Sequence, residues 1–219
     1  MKAKFDALCV NIDLSHINIK RVVENIRANT TVYTPVVEMI VNAIQAIDAT
    51  ARHDGKIQIR VRRSTQTKLD TGLPQVTGFE IIDNGIGFND TQRNSFDTLY
   101  TDLKITEGGK GFGRFTGLKY FNNVYVQSVY RDSDVFKDRC FSMGKTHEII
   151  VAEKVTLSDK QETGTVVTLE SLKTGRVFDK KLATIARSLV ERLLPYFITH
   201  NYICQKLFSL SKMGMTRFV

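Results

Sequence analysis

The segment from Thr34 to Asp48 constrains the fold most, because it predicts a helix with two chemically different faces. Thr34 followed by Pro35 is typical of a helix start, with Thr34 as the N-cap and proline at the first helical position. At 100° per residue, one face is an apolar stripe made of Val36, Val37, Ile40, Ile44 and Ile47. The opposite face carries Glu38, Asn42 and Gln45. Such a polar line is ordinary on a solvated helix, so its meaning depends on the rest of the chain.

Alternating segments on either side of this helix predict strands. Period-two patterns or β-rich runs cover 55–62, 76–82, 124–129, 147–157 and 164–170. The first two, joined by a polar loop, predict a hairpin. Helical spacing of apolar residues predicts a last helix from Leu182 to Pro195. The order of elements favours an α+β fold: a two-layer sandwich whose mixed, mostly antiparallel sheet is covered on one face by helices.

Length and composition limit the classes of protein. The 219 residues contain three cysteines in no Cys-x-x-Cys pair, and no apolar run is long enough to span a membrane. A cytoplasmic protein without disulfides or a zinc site is therefore expected. We expect one domain over 1–175 and a helical extension over 176–219, which could begin a second domain.

The formal net charge of +8 raises the question of nucleic-acid binding. The densest basic cluster is Arg60, Arg62 and Arg63, on a predicted edge strand. Outward charges are the usual protection of such an edge, so nucleic-acid contact is an alternative that we do not favour.

Two glycine-bearing segments suggest a ligand site. Asp83 ends a predicted strand and precedes Gly85 and Gly87, which let the backbone turn sharply and approach a planar ring. An ionised carboxylate only accepts hydrogen bonds, which suits the exocyclic amine of adenine. The structural alternative is an Asp that caps a strand-to-turn junction.

The second segment precedes a helix and contains Gly108, Gly109, Lys110, Gly111, Phe112, Gly113 and Arg114. Its backbone N–H groups and the two cations could bind an anion, although flexible loops use the same residues. The P-loop, Rossmann and protein-kinase motifs are absent. The poorly patterned residues 101–106 just before it are typical of a lid or of a plain surface loop.

The polar helix face can supply the remaining chemistry of a nucleotide site. The amide oxygen of Asn42 is a hard ligand of the kind that Mg²⁺ prefers. Glu38, one turn away on the same face, can reach a water near such a metal as general base. Phosphoryl transfer asks mainly for positioning and charge neutralisation, so few catalytic groups suffice.

Together these motifs resemble the Bergerat-fold ATPases, the family of gyrase, Hsp90, histidine kinases and MutL. Glu38-x-x-x-Asn42-Ala43-x-x-Ala46 is similar to the N box of that family, and Asp83-x-Gly85-x-Gly87 to its G1 box. Gly109-x-Gly111-x-Gly113 resembles the G2 box on the phosphate side. Gly164-Thr165 resembles a later Gly-Thr pair whose hydroxyl supports the adenine-binding Asp through water. The resemblance covers roughly residues 20–172 and is closest to Hsp90-like domains of bacterial multidomain proteins.

The resemblance implies a set of roles. ATP and Mg²⁺ would be the cofactors, with Glu38 catalytic and Asn42 the metal ligand. The remaining ATP-binding residues would be Asp83, Gly85, Gly87, Gly109, Lys110, Gly111, Phe112, Gly113 and Thr165. The chain departs from the family at Gln45, where many members carry Asp. His16 lies too near the N box for a phosphoacceptor, which disfavours the kinase branch.

The sequence therefore predicts an Mg²⁺-dependent ATPase that hydrolyses slowly and drives a conformational or dimerisation switch. Some members complete the site with a Lys or Arg from a following domain, so a homodimer or a further domain is an expected partner. Two alternatives stay open: a module that senses ATP without hydrolysing it, and a basic nucleic-acid-binding protein.

Overall fold

The structure is a computed structural model, and it describes residues 18–26, 30–50, 52–65, 73–97 and 113–199. The helices are α1 (Ile19–Glu24), α2 (Thr34–Asp48), α3 (Asp90–Asp97), α4 (Thr116–Tyr120) and α5 (Leu182–Thr199). A 3-10 turn, Gly113–Phe115, precedes α4. The strands are β1 (Ile57–Arg63), β2 (Val76–Asp83), β3 (Phe121–Asp132), β4 (Val135–Met143), β5 (Ile150–Leu157) and β6 (Gly164–Leu172).

The strands form one six-stranded sheet in the order β1-β2-β6-β3-β4-β5. Every strand pairing in the described part of the chain is antiparallel. The hairpin of β1 and β2 and the edge position of β1 are confirmed. The two-layer α+β prediction is likewise confirmed.

One face of the sheet carries the core. Alternate residues of the central strands, such as Phe79, Ile81 and Leu169, are fully buried beneath the helices. Helix α2 packs on them through Pro35, Val36, Met39, Ile40, Ala43 and Ile44. Val37 and Ile47 are only partly buried, so the apolar stripe is rotated slightly from its predicted position. The helix layer therefore presses α2 against β2, where the Asp83 segment ends.

Helix α2 has the predicted bounds, but its N-cap differs. Tyr33 occupies that position, and its carbonyl accepts the first helical bond from the Val37 N–H at 3.0 Å. Thr34 already lies inside the helix, where its hydroxyl accepts a hydrogen bond from the Thr31 N–H at 2.9 Å. The turn over Val32 and Tyr33 starts the helical winding one residue early, so the N-cap prediction for Thr34 is wrong.

Strand β4 is absent from our sequence predictions. Its alternation is hidden because Lys137 and Arg139 occupy positions on the helix-covered face, where apolar residues are expected. Arg139 is 4% exposed, and it pairs with Glu153 and lies over the Tyr130 ring at 4.8 Å. A buried arginine satisfied by partners far along the chain cannot be recognised from local periodicity.

The last helix continues past Pro195 to Thr199, so the predicted end is wrong. An interior proline costs about 3 kcal/mol. Helix α5 buries Ile185, Leu189 and Leu193 before the proline and Phe197 after it, all in the same core as α2. Burying one phenylalanine is worth about 1.5–3 kcal/mol, which offsets much of the proline cost.

The remaining structural predictions have mixed outcomes. Asn89 is the N-cap of α3, and its side chain accepts from the Gln92 N–H at 3.1 Å. Cys140 is a free thiol, while Cys9 and Cys204 lie outside the described residues. In the described part of the chain, no helix has the length and apolar character needed to span a membrane.

Candidate functional site

The turn after β2 is pressed against the second half of α2. The Ile86 N–H donates to the Ala46 carbonyl at 2.9 Å. A Cβ added to Gly85 would clash with the backbone and side chain of Ala46, so both positions require small side chains. Gly87 has φ +80°, a conformation that favours glycine. The motif glycines therefore let the Asp83 strand end approach α2 closely.

Asp83 is buried at this junction, with 9% of its surface exposed. Burial raises the pKa of its carboxyl from 3.8 to about 6, while hydrogen bonds from the Gly85 and Thr165 N–H groups pull that pKa back down. The bond from Gly85 to Asp83 Oδ1 is 2.9 Å long. Asp83 thus caps the turn, as the structural alternative requires. A carboxylate has further acceptor positions available for a ligand.

Asp83, Thr165 and Ser128 form a three-strand row. Thr165 is the register partner of Asp83 across β2 and β6, and Ser128 is the register partner of Thr165 across β6 and β3. Register partners share a face of the sheet. Thr165 and Ser128 are 8% and 4% exposed, so the whole row is buried polar surface.

The hydroxyls of this row have one consistent set of hydrogen bonds. Ser128 Oγ accepts from the Phe88 N–H at 2.8 Å and lies 2.9 Å from the Gly164 carbonyl oxygen. That carbonyl can only accept, so the single Ser128 proton is used there. The 3.0 Å contact between Ser128 and Thr165 then requires Thr165 to donate. The Thr165 oxygen keeps its lone pairs, so Thr165 and Asp83 both offer acceptors.

Ser128 is a site residue that the sequence analysis missed. It joins the end of the glycine turn, at Phe88, to the start of β6, at Gly164. In the sequence it is one serine within a strand, and only the register with Thr165 reveals it. A small polar residue facing inward among Val124, Val126 and Tyr130 was the available signal.

The polar face of α2 meets the 3-10 turn. Glu38, Asn42 and Gln45 are all half-buried, and each has interaction partners in the structure. A Cβ added to Gly113 would clash with the Glu38 carboxylate, so the two residues are in close approach. The structure thus brings together one predicted catalytic residue and the last glycine of the predicted G2 box. The remaining G2 residues, Gly109, Lys110, Gly111 and Phe112, lie outside the described residues, as does the predicted lid segment 101–106.

Arg114 is directed at helix α3. Its guanidinium donates to the Ser95 carbonyl at 3.1 Å and to the Phe96 carbonyl, and it lies 5.3 Å from the Phe96 ring centre. Burial lowers its pKa to about 10. A cation at the C-terminal carbonyls of a helix is favourable. Arg114 therefore ties the 3-10 turn to α3, a structural role beyond the charge that we expected it to supply.

The described residues contain few side chains that could together ligate a metal ion. No group of three or more His, Cys, Asp or Glu side chains that could hold a metal ion occurs in the described ranges. Within those ranges, a metal would therefore not be held by such side chains alone. The hard amide oxygen of Asn42 fits Mg²⁺ in another way, as one ligand beside phosphates and water.

A comparison with protein-family models gives a match over residues 27–176 to the histidine kinase-, DNA gyrase B- and HSP90-like ATPase family. The match covers more than half of the chain, and the chain belongs to this family. Members of the family bind ATP, which agrees with the position of the motifs. A search of the curated proteins finds no significant match.

Proposed function

We propose that this chain binds Mg²⁺–ATP between α2 and the Asp83 end of the sheet, and that it hydrolyses the nucleotide slowly. The observation that carries the proposal is the close packing of the Asp83 turn on α2, whose polar face also reaches Gly113. A group that can read a base and a group that can activate water therefore belong to one helix–sheet junction.

The base side of the proposed site is the three-strand row with the turn 84–88. Asp83 and Thr165 offer acceptors, and the adenine amine offers two hydrogens. Guanine has a carbonyl oxygen at the corresponding position, which would face these acceptors without a hydrogen between them. The base side therefore supports adenine over guanine.

The phosphate side of the proposed site is Glu38, Asn42 and Gly113. Asn42 would contribute its amide oxygen to Mg²⁺, alongside phosphate oxygens and water. When bound, the metal would neutralise phosphate charge and orient the phosphates. Glu38, held against the 3-10 turn, would accept the proton of the attacking water. Gly109, Lys110, Gly111 and Phe112 remain proposed phosphate contacts from the sequence alone.

The proposal includes a nucleotide-dependent switch of conformation or dimerisation, in the manner of Hsp90-like members. It also includes a cation supplied by a second copy or by a further domain, which would complete the phosphate side. The division at residues 175/176 and a cytoplasmic location stay predictions of the sequence. A module that senses ATP without hydrolysis is the second candidate, favoured by Gln45 at a position where many members carry Asp.

Two measurements on the purified chain test the proposal. Calorimetric titration with ATP should show binding that Mg²⁺ strengthens, and single-turnover assays with the γ-labelled nucleotide should show slow release of phosphate. Binding without hydrolysis at saturating ATP would leave the sensing module as the function. A flat titration, with or without Mg²⁺, contradicts both candidates.

A further inference from the structure

The basic clusters of the folded chain differ from those of its sequence. Arg60 and Arg62, the densest basic stretch of the sequence, form ion pairs with Glu80 and Glu170 at 3.4–3.7 Å on the open face of the sheet. Arg63 donates to the carbonyls of Pro74 and Lys180. Arg60, Arg62 and Arg63 therefore all have partners in the fold, while their role in edge protection stays a prediction.

A second group of cations gathers at the end of the sheet farthest from Asp83. There β2 begins, β6 ends and β3 begins, with Phe121 paired to Leu172. Contributions come from α1, α4, the 144–149 turn and the segment after β6. We call this surface the basic end, and it consists of Lys20, Arg21, Lys119, Lys145, Lys173, Arg176, Lys180 and Lys181.

Contacts between these segments bring α1, the 144–149 turn, α4 and the start of the 173–181 segment together, with Lys119 Nζ donating to the Ile26 carbonyl at 3.1 Å. Lys180 and Lys181 lie along the same end of the sheet toward β1, where the Lys180 carbonyl accepts from Arg63. The Ile19 N–H donates to the Thr146 carbonyl at 2.9 Å, which brings α1 beside Lys145. Lys173 Nζ donates to the Leu118 carbonyl at 2.5 Å, at the end of α4. Arg176 lies 5.3 Å from the ring centre of Tyr120, and Lys119 lies 5.8 Å from the same ring. Four separate segments therefore converge there.

The charge at the basic end is poorly compensated. In the described residues, Lys20, Arg21, Lys145, Lys173, Arg176, Lys180 and Lys181 take part in no ion pair. The acidic residues of the same segments are Glu24, Glu148 and Asp179. Burial lowers the pKa of Lys173, and the like charge of Lys145 lowers it further. Positive charge is accumulated here at a cost, whereas Arg60, Arg62 and Arg139 on the sheet form ion pairs.

We propose that the basic end binds the phosphodiester backbone of a nucleic acid. Interfaces with nucleic acids are polar and strongly positive, whereas protein partners usually bury aromatic or apolar anchors. The exposed large apolar residue among the described members of these segments is Val177. The surface thus offers charge without the apolar centre that a protein partner or a bilayer would require.

Fluorescence anisotropy with labelled 20-mers of duplex DNA, single-stranded DNA and RNA tests this proposal, over a series of KCl concentrations. The parent should bind at least one of these polymers, with affinity that falls linearly on a log–log salt plot. The triple variant Lys145→Ala/Arg176→Ala/Lys181→Ala should bind about tenfold or more weakly than the parent. The slope of its log–log salt plot should decrease by the equivalent of up to about three phosphate contacts.

The matched control is Arg131→Ala/Lys154→Ala/Lys160→Ala, which removes the same net charge from exposed positions away from the basic end. This control should bind nucleic acid within about threefold of the parent. Since Arg176 also packs on Tyr120, the pair Lys20→Ala/Arg21→Ala on exposed positions of α1 gives a second test that leaves that contact intact.

Three outcomes would overturn the proposal. The first is that the parent binds none of the three nucleic acids. The second is that the two triple variants lose nucleic-acid affinity equally. The third is that the parent binds only anionic vesicles or an acidic polypeptide. ATP binding by each variant, measured in parallel, separates this result from the proposed nucleotide site, whose base side lies at the other end of the sheet.

Discussion

The base side and the phosphate side of the candidate site are built from different kinds of structure. The base side is a row of side chains across three neighbouring strands, each buried to 91% or more. They form hydrogen bonds of 2.8–3.0 Å with one another or with the adjoining backbone. The phosphate side is a half-buried helix face opposite a 3-10 turn. Strand register fixes the first, while the second depends on how the 113–120 segment packs on α2.

This difference indicates which side of the site controls nucleotide affinity and which side controls the rate of hydrolysis. Groups fixed by a sheet are preorganised and lose little freedom when a ligand binds. Groups on a helix face and a glycine turn can adjust as phosphates and metal arrive. We therefore expect changes on the base side to alter affinity and stability, and changes on the phosphate side to alter the rate of hydrolysis.

The largest effect should come from Glu38→Ala. It removes the proposed base while Asn42 and Asp83 remain, so ATP binding should persist and the single-turnover rate should fall by about 10²–10⁴-fold. Asp48→Ala, at the exposed end of the same helix, is the matched control and should keep the parental rate. If Glu38→Ala hydrolyses ATP at the parental rate, Glu38 is not the general base.

A change of stability should follow from Asp83→Asn without nucleotide. The folded-state pKa near 6 exceeds the ordinary value of 3.8, so the folded protein binds the proton more tightly than the unfolded chain. Stability from this group is therefore greatest below about pH 4 and falls as the pH rises through 6. At pH 7.5 the charged carboxylate costs about 3 kcal/mol, and asparagine avoids that cost.

Urea unfolding of parent and Asp83→Asn at pH 5 and 7.5 measures this effect. The free energy of unfolding of the variant should exceed that of the parent, by about 1.4 kcal/mol more at pH 7.5 than at pH 5, where the carboxyl is mostly protonated. A pH-independent difference, or a variant less stable than the parent at pH 7.5, would show that the buried carboxylate carries no such cost.

The same variant should bind ATP more weakly, by about 1–3 kcal/mol, or roughly 5–150-fold. Asparagine replaces one acceptor oxygen with a donor that would face the adenine amine. Calorimetry with ATP measures the loss, and Asn84→Asp provides a control next to it in the turn. A folded Asp83→Asn protein with parental affinity would exclude Asp83 as the reader of the base.

The smallest effect is expected from Ser128→Ala. It leaves the Phe88 N–H and the Thr165 hydroxyl without their common acceptor, which should weaken ATP binding by about 0.5–1.5 kcal/mol. The ratio of ATP affinity to GTP affinity should decrease as well. Without Ser128, the Thr165 hydroxyl can rotate and donate its hydrogen to the carbonyl oxygen of guanine. Ser142→Ala on β4 is the control. If Ser128→Ala keeps the parental ratio of ATP affinity to GTP affinity, Ser128 has only a packing role.

The parts of this structure that the sequence predicted are those with local signals. Helix α2, the β1–β2 hairpin and the glycine turn each follow from spacing within about fifteen residues. Their meeting at Ala46 was not predicted, because local patterns carry no register. Strand β4 and the course of α5 beyond Pro195 depend on partners distant in the chain, such as Glu153 for Arg139.

Two features of the site were beyond sequence reasoning for the same reason. The raised pKa of Asp83 results from burial by elements on both sides of it, and the role of Ser128 results from strand register. Arg114 was predicted to add charge near an anion, but its contacts with the end of α3 become visible only in three dimensions.

The central claim is that the buried end of the sheet recognises adenine, and a comparison of ATP and GTP affinities tests it most directly. Calorimetric titrations of the parent chain at pH 7.5 with Mg²⁺ would use both nucleotides, which carry identical phosphates. The account predicts that GTP binds at least about tenfold more weakly, since its carbonyl oxygen would face the acceptors of Asp83 and Thr165. Equal affinities for ATP and GTP would contradict it.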